Sequence, residues 1–111
     1  MAVHVMASPA FLIALRTRLT WPAEHRDEEQ LESFLTALES VRRRIARFPE
    51  AGPIVKRDTA HVLRLRLFPR PLPYLVYHGH AARRPIREVV MVGLYASGQQ
   101  REATDMAEWP W

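Results

Sequence analysis

His61-Val62-Leu63-Arg64-Leu65-Arg66-Leu67-Phe68 is where the hydrophobic period of this chain changes from 3.6 to 2. Alternation of this kind predicts a strand with His61, Leu63, Leu65 and Leu67 on one face and Val62, Arg64, Arg66 and Phe68 on the other. With the leucines turned into the core, both guanidinium groups point outward from an open sheet face. Working downstream, Pro69-Arg70-Pro71 predicts a turn and Tyr74 to His78 a strand. Gly79 to Arg84 reads as a polar connection, and Pro85 to Tyr95 as the longest strand. That last strand is apolar on both sides, with Val90, Val92 and Leu94 against Val89 and Met91, which predicts a central place in the sheet. Ile54 to Arg57 is expected as a short edge strand, residues 99–107 as a short helix, and 108–111, with Trp109 and Trp111, as a tail.

Upstream the period is helical. Ala2 to Met6 reads as a first strand, and Ser8-Pro9 as a helix start, the serine able to cap and the proline placed where its missing N–H costs nothing. Phe11, Leu12, Leu15 and Leu19 form a stripe expected to be buried, and Trp21-Pro22 is expected to end the helix. Asp27 with Gln30 opens a second helix. Its apolar side runs through Leu31, Phe34, Leu35, Leu38, Val41, Ile45 and Phe48, while Arg42, Arg43, Arg44 and Arg47 gather where positive charge suits the helix dipole. The order strand, two helices, then three or four strands excludes a doubly wound parallel sheet. The fold class expected is α+β: two layers, β-α-α-β(3-4), a helical hairpin packed on one face of a small antiparallel sheet. At 111 residues one domain spanning 1–111 is expected.

The net charge of +4 comes from 16 basic against 12 acidic residues, and Lys56 is the only lysine. Arginine is favoured over lysine where planar, bidentate contacts to phosphate or carboxylate matter, so an acidic partner is one reading; a base composition that favours arginine codons is the other. Disulfide scaffolds and cysteine zinc sites are excluded by the absence of cysteine, which suits a reducing, cytoplasmic setting. The apolar residues 2–15 have no basic stretch ahead of them and contain Pro9, so they are expected as folded structure rather than a signal or a membrane span.

Arg64 and Arg66, with Lys56, Arg57 and Arg70 close in sequence, form the sharpest constellation: a surface for a phosphate backbone or an acidic peptide, or else charges that keep a solvated sheet face from pairing. His4, His25, His61, His78 and His80 show no metal-ligand spacing, and no metal or cofactor is expected. His78 and His80, placed in a loop, are candidates for acid–base work on RNA or incidental.

The order of Arg47-Phe48-Pro49-Glu50-Ala51-Gly52-Pro53, Val62-Leu63-Arg64-Leu65-Arg66-Leu67, Pro73-Tyr74-Leu75-Val76-Tyr77 and Ile86-Arg87-Glu88-Val89-Val90-Met91-Val92-Gly93 resembles the RelE/ParE superfamily of type II toxin-antitoxin toxins over roughly residues 2–101. The resemblance implies a growth inhibitor neutralised by a cognate antitoxin, whose acidic C-terminal segment would cover the basic surface. RelE-like members are metal-independent, ribosome-dependent mRNA endoribonucleases; ParE-like members poison DNA gyrase and are not nucleases. By position, Lys56, Arg57, Arg64 and Arg66 match the basic residues of the nuclease members, and Tyr95 falls near their C-terminal site, so Arg64, Arg66 and Tyr95 are the catalytic set implied for a nuclease. Lys56, Arg57, Arg64, Arg66, Arg70 and Arg101 are the set implied for nucleic acid or antitoxin. An arginine is missing directly after the last strand, where the sequence runs from Leu94 to Gln100 before Arg101, which favours the gyrase-directed reading. The competing class is a non-toxic basic module that binds nucleic acid or regulates. The toxin reading needs the guanidinium side of the sheet to stay clear of the helices.

Overall fold

The computed structural model describes residues 2–24 and 27–96. Strand β1 (His4–Ala7) leads into α1 (Pro9–Glu24) and α2 (Glu28–Arg47), followed by β2 (Ile54–Arg57), β3 (His61–Leu67), β4 (Tyr74–Ala81) and β5 (Glu88–Ala96). Both helices start on side-chain caps: Ser8 Oγ accepts from the Phe11 N–H at 3.1 Å and Asp27 Oδ1 from the Gln30 N–H at 3.0 Å. Helix α1 does not stop at Trp21-Pro22 but continues to Glu24. A proline this close to the end forfeits one backbone hydrogen bond, which a final turn tolerates. The helix and tail expected over 99–111 lie outside the described residues.

The expectation of a helical hairpin on a small antiparallel sheet is corrected. The sheet has five strands in the order β1-β5-β4-β3-β2 and is mixed: β1 runs parallel to β5, with Val5 beside Val89, and the other neighbours are antiparallel. Helical and strand residues are about equal in number, and the helices do not sit together as a hairpin over a small sheet. Helix α1 lies against β5, and α2 runs along β1, where the Val3 N–H donates to the Ala46 carbonyl at 2.8 Å. A parallel pair needs a long crossover, and here the whole run from α1 to β4 supplies it. Strand β5 lies inside the sheet between β1 and β4, and β4 is the middle strand.

A β-bulge decides which side chains meet. Tyr77 pairs with Gly93 but His78 pairs with Met91, so Val92 is the extra residue in β5. The bulge resets the alternation, sending Val89, Met91 and Leu94 to the helix-bearing face, where they pack with Phe11, Phe34, Val41, Ile45 and Val76. Val90, Val92 and Tyr95 go to the opposite face with Leu63, Leu75 and Tyr77. Phe34, Phe68 and Tyr74 close one end of the first core, with ring centroids 5.1 to 5.6 Å apart, and the Arg18 guanidinium lies 5.4 Å from the centre of Tyr74. The expected stripe on α1 is only partly buried: Phe11 is enclosed, Leu15 and Leu19 pack at the margin, and Leu12 is exposed. Leu35 on α2 and Phe48, just past its end, are exposed as well.

Candidate functional site at the end of the second helix

Strand register fixes the faces of β3. Arg64 lies opposite His78 and Arg66 opposite Val76, while Leu63, Leu65 and Leu67 lie opposite Gly79, Tyr77 and Leu75. Val76 belongs to the core beneath the helices and Tyr77 and Leu75 to the other cluster. The arginines therefore share the face that bears the helices, and the leucines lie on the opposite one, Leu63 and Leu65 packed and Leu67 exposed, which inverts the expected orientation. The reason is local. Helix α2 ends at Arg47, and in the connection that follows the Phe48 carbonyl accepts from the Ala51 N–H at 3.1 Å, while the Gly52 carbonyl takes its donor from β3. Arg66 Nη2 donates to the Phe48 carbonyl at 3.2 Å and Arg64 Nη1 to the Gly52 carbonyl at 2.9 Å.

The connection is pressed close to β3. Leu65 donates its N–H to the Pro53 carbonyl at 3.1 Å, and Gly52 takes φ +96° where a Cβ would lie 2.5 Å from the Leu65 carbonyl oxygen. Only glycine meets both conditions without strain.

His78 and His80 are not in a loop. Strand β4 extends to Ala81, carrying both histidines onto the same face as Arg64 and Arg66, at 0% and 2% exposure. Arg64 Nε–H donates to His80 Nε2 at 3.0 Å, and His80 Nδ1 lies 2.8 Å from the Ala81 carbonyl. An arginine Nε can only donate, so His80 Nε2 must accept, and its proton must be on Nδ1, donating to Ala81. His78 has no hydrogen-bond partner at either ring nitrogen, and Arg66 Nε is likewise buried without one. Burial, then the charges of Arg66, His80 and Arg64, push the His78 pKa down to about 3. The same two causes, burial first and then Arg44, disfavour the charged form of Arg66.

Arg44, Arg57, Arg64 and Arg66 form no ion pair among the described residues; the carboxylates nearest in sequence are engaged elsewhere, Asp58 by the Ala60 and His61 N–H groups at 2.7 Å, Glu39 by Arg42 and Arg43, and Glu50 by Arg84 at 2.7 Å. Exposed Phe48 and Ile54 flank the cluster, the latter opposite Arg64 in register. Arg57 faces the same side through its pairing with Val62, whereas a bulge between Ile54 and Lys56 places Lys56 beside Leu63 on the other face. Arg70 lies exposed in the β3–β4 connection. Arg101 lies outside the described residues. Tyr95 packs edge-on to Tyr77, centroids 5.8 Å apart, on the face opposite the arginines; burial and then Tyr95 raise the Tyr77 pKa. The structure thus joins Arg64 and Arg66 with Arg44, puts Arg57 on the same face, and leaves Tyr95 and Lys56 on the other.

Sequence reading missed His80, Gly52 and Phe48 as members of the site. The i, i+2 spacing of His78 and His80 matches that of the arginine pair, but Gly79 reads as a strand end, which hides the match. Among the described residues no group of three or more potential ligands is placed to hold a metal ion, and no helix is long and apolar enough to cross a membrane. No family model matches the chain, and no curated protein matches its sequence.

Proposed function

We propose that this chain acts by binding an acidic protein segment at the Arg44, Arg57, Arg64 and Arg66 cluster, and that it is the cytoplasmic toxin of a toxin-antitoxin pair, directed at DNA gyrase rather than at mRNA. One observation carries the binding part: Arg44, Arg64 and Arg66 gather at the end of α2, and among the described residues none of them has an ion pair. A half-buried cation with an orphaned Nε is costly alone and favourable once an anion arrives. Phe48 and Ile54 beside the arginines suit a segment that alternates acidic and apolar residues, as an antitoxin tail does, better than they suit a sugar-phosphate chain.

Cleavage of RNA has less support. It needs a general base or acid beside the scissile phosphate, but Tyr95 is on the wrong face for Arg64 and Arg66, both nitrogens of His80 are engaged, and His78 is enclosed. The toxin role itself rests on the order of sequence motifs alone: the sheet differs from the one expected, and Arg64 and Arg66 lie on its helix-bearing side, which counts against that role. Expressing the chain without a partner, with pulse labelling of protein and DNA synthesis, tests it. Growth arrest with a DNA-damage response is the expected outcome. Translation arrest would move the target to ribosome-bound mRNA, and undisturbed growth would leave a non-toxic binding module.

A further inference from the structure

We propose that the solvent side of the two helices is a dimer interface, in which α1 of one copy lies against the first half of α2 of a second copy and a two-fold axis repeats the contact. This surface is separate from the arginine cluster, because Leu35 precedes Arg44 by more than two turns of α2. Helix α1 needs a cover that the described residues do not give it. Pro9 to Leu15 contains no polar side chain, and a helix that is apolar all round belongs in an interior. Phe11 is enclosed, but Leu12 is 54% and Ile13 68% exposed. Leu12, Leu15, Arg16, Leu19 and Thr20 line an open groove of about 400 Å³ along the helix. The hydroxyls on this side already have acceptors, Thr17 Oγ1 donating to the Ile13 carbonyl at 3.1 Å and Thr20 Oγ1 to the Arg16 carbonyl at 2.8 Å. Taking the surface out of water therefore costs little except at Arg16, which is exposed and without an ion pair among the described residues.

Charge selects the occupant. Paired with its own copy, α1 would set Arg16, at the middle of the stripe from Leu12 to Thr20, beside a second Arg16. Helix α2 offers the complement. Glu28, Glu32 and Leu35 share one stripe at i, i+4 and i+7, all three are exposed, and neither glutamate has an ion pair among the described residues. The stripes read in opposite order, leucine then arginine along α1, glutamate then leucine along α2. An antiparallel crossing therefore places Leu12 beside the partner's Leu35 and Arg16 beside the partner's Glu32. Two helices side by side, about 25 Å long and about 20 Å across, give a footprint of about 500 Å² per copy. A total of about 1,000 Å² lies at the threshold of a specific interface, so the dimer is expected to be weak.

Analytical ultracentrifugation of the whole chain, from about 1 μM to about 1 mM, tests this. The mass should rise with concentration from 12.9 kDa toward twice that value. Ile13→Ser should abolish the rise. Arg16→Glu and Glu32→Arg should each weaken association about tenfold, and the chain carrying both should recover it, because the charges then attract again with their signs exchanged. All three side chains are exposed, so each variant is expected to fold, as an unchanged circular dichroism spectrum and thermal midpoint would show. A chain that stays monomeric throughout would overturn the inference and leave the groove to a helix of another protein. A dimer indifferent to Ile13→Ser would place the interface elsewhere, and charge reversals that fail to rescue each other would exclude α1 on α2; either result overturns it as well.

Discussion

At the scale of single residues the molecule concentrates its strain and its unpaired polarity in one place. Gly52 takes a backbone conformation that side chains avoid, beside a carbonyl that a Cβ would strike. Gly52→Ala is expected to cost about 2–3 kcal/mol in urea unfolding, since left-handed strain and displacement of β3 add. His78 carries a different signature. In the unfolded chain it titrates near 6.5, and in the folded one near 3. As pH falls below 6.5 the unfolded chain takes up a proton that the folded chain refuses, so stability drops through this window and the loss levels off only near pH 3. Between pH 6.5 and 5 the loss from this group is about 2 kcal/mol, at about 1.4 kcal/mol per unit. His78→Leu removes two orphaned nitrogens from the interior and should equal or exceed the wild-type stability at pH 7 while flattening the acid slope; denaturant midpoints at pH 5 and 7 for both proteins check this.

At the scale of elements the caps and the bulge do most to define the structure. Asp27 holds the first turn of α2 through the Gln30 N–H, and Asp27→Ala is expected to lower stability by about 1 kcal/mol, read as a drop in thermal midpoint followed by circular dichroism. This cap was legible in the sequence, as was the cap at Ser8, because a polar residue before a 3.6-period run has few other uses. The strands were legible as a change of period, and their partners were not. Nothing in His4 to Ala7 says that it pairs in parallel with a strand more than eighty residues away, because a four-residue strand carries no register signal. The bulge at Val92 was hidden by a run apolar on both sides, where an extra residue leaves no break in pattern. The orientation of β3 was misread for a chemical reason. Leucine is expected in the helix-covered core and arginine in solvent, but both faces of this sheet carry apolar clusters, and on the helix-bearing one two carbonyls after α2 accept from side-chain donors that leucine does not have. The arginine pair was thus found as a constellation, and its neighbours His80, Gly52 and Phe48 only in three dimensions.

At the scale of the whole molecule, what matters is how an excess of positive charge is distributed. The ion pairs of the described residues lie on the surface, local ones such as Arg42 with Glu39 and one that joins distant parts of the chain, Arg84 with Glu50, and pairs of that kind contribute about 0–1 kcal/mol each. The unneutralised arginines sit together instead, with Arg44 close enough to disfavour the charge on the half-buried Arg66. Salt acts on these two populations with opposite signs, weakening the pairs and screening the repulsion. Because the pairs were worth little to begin with and the chain carries a net charge of +4, relief of repulsion should win, so the urea midpoint should rise between about 0.01 M and 0.5 M sodium chloride. Sodium sulfate at equal ionic strength should raise it further, since a divalent oxyanion can occupy the cluster and stabilise the folded state by mass action. Arg66→Met separates this site from general charge screening. It removes the repulsion with Arg44 and keeps the apolar stem, at the cost of the bond to the Phe48 carbonyl. Its midpoint should respond less to either salt, and above all should lose the extra increment from sulfate; a variant with the full sulfate increment would show that the anion acts elsewhere on the surface.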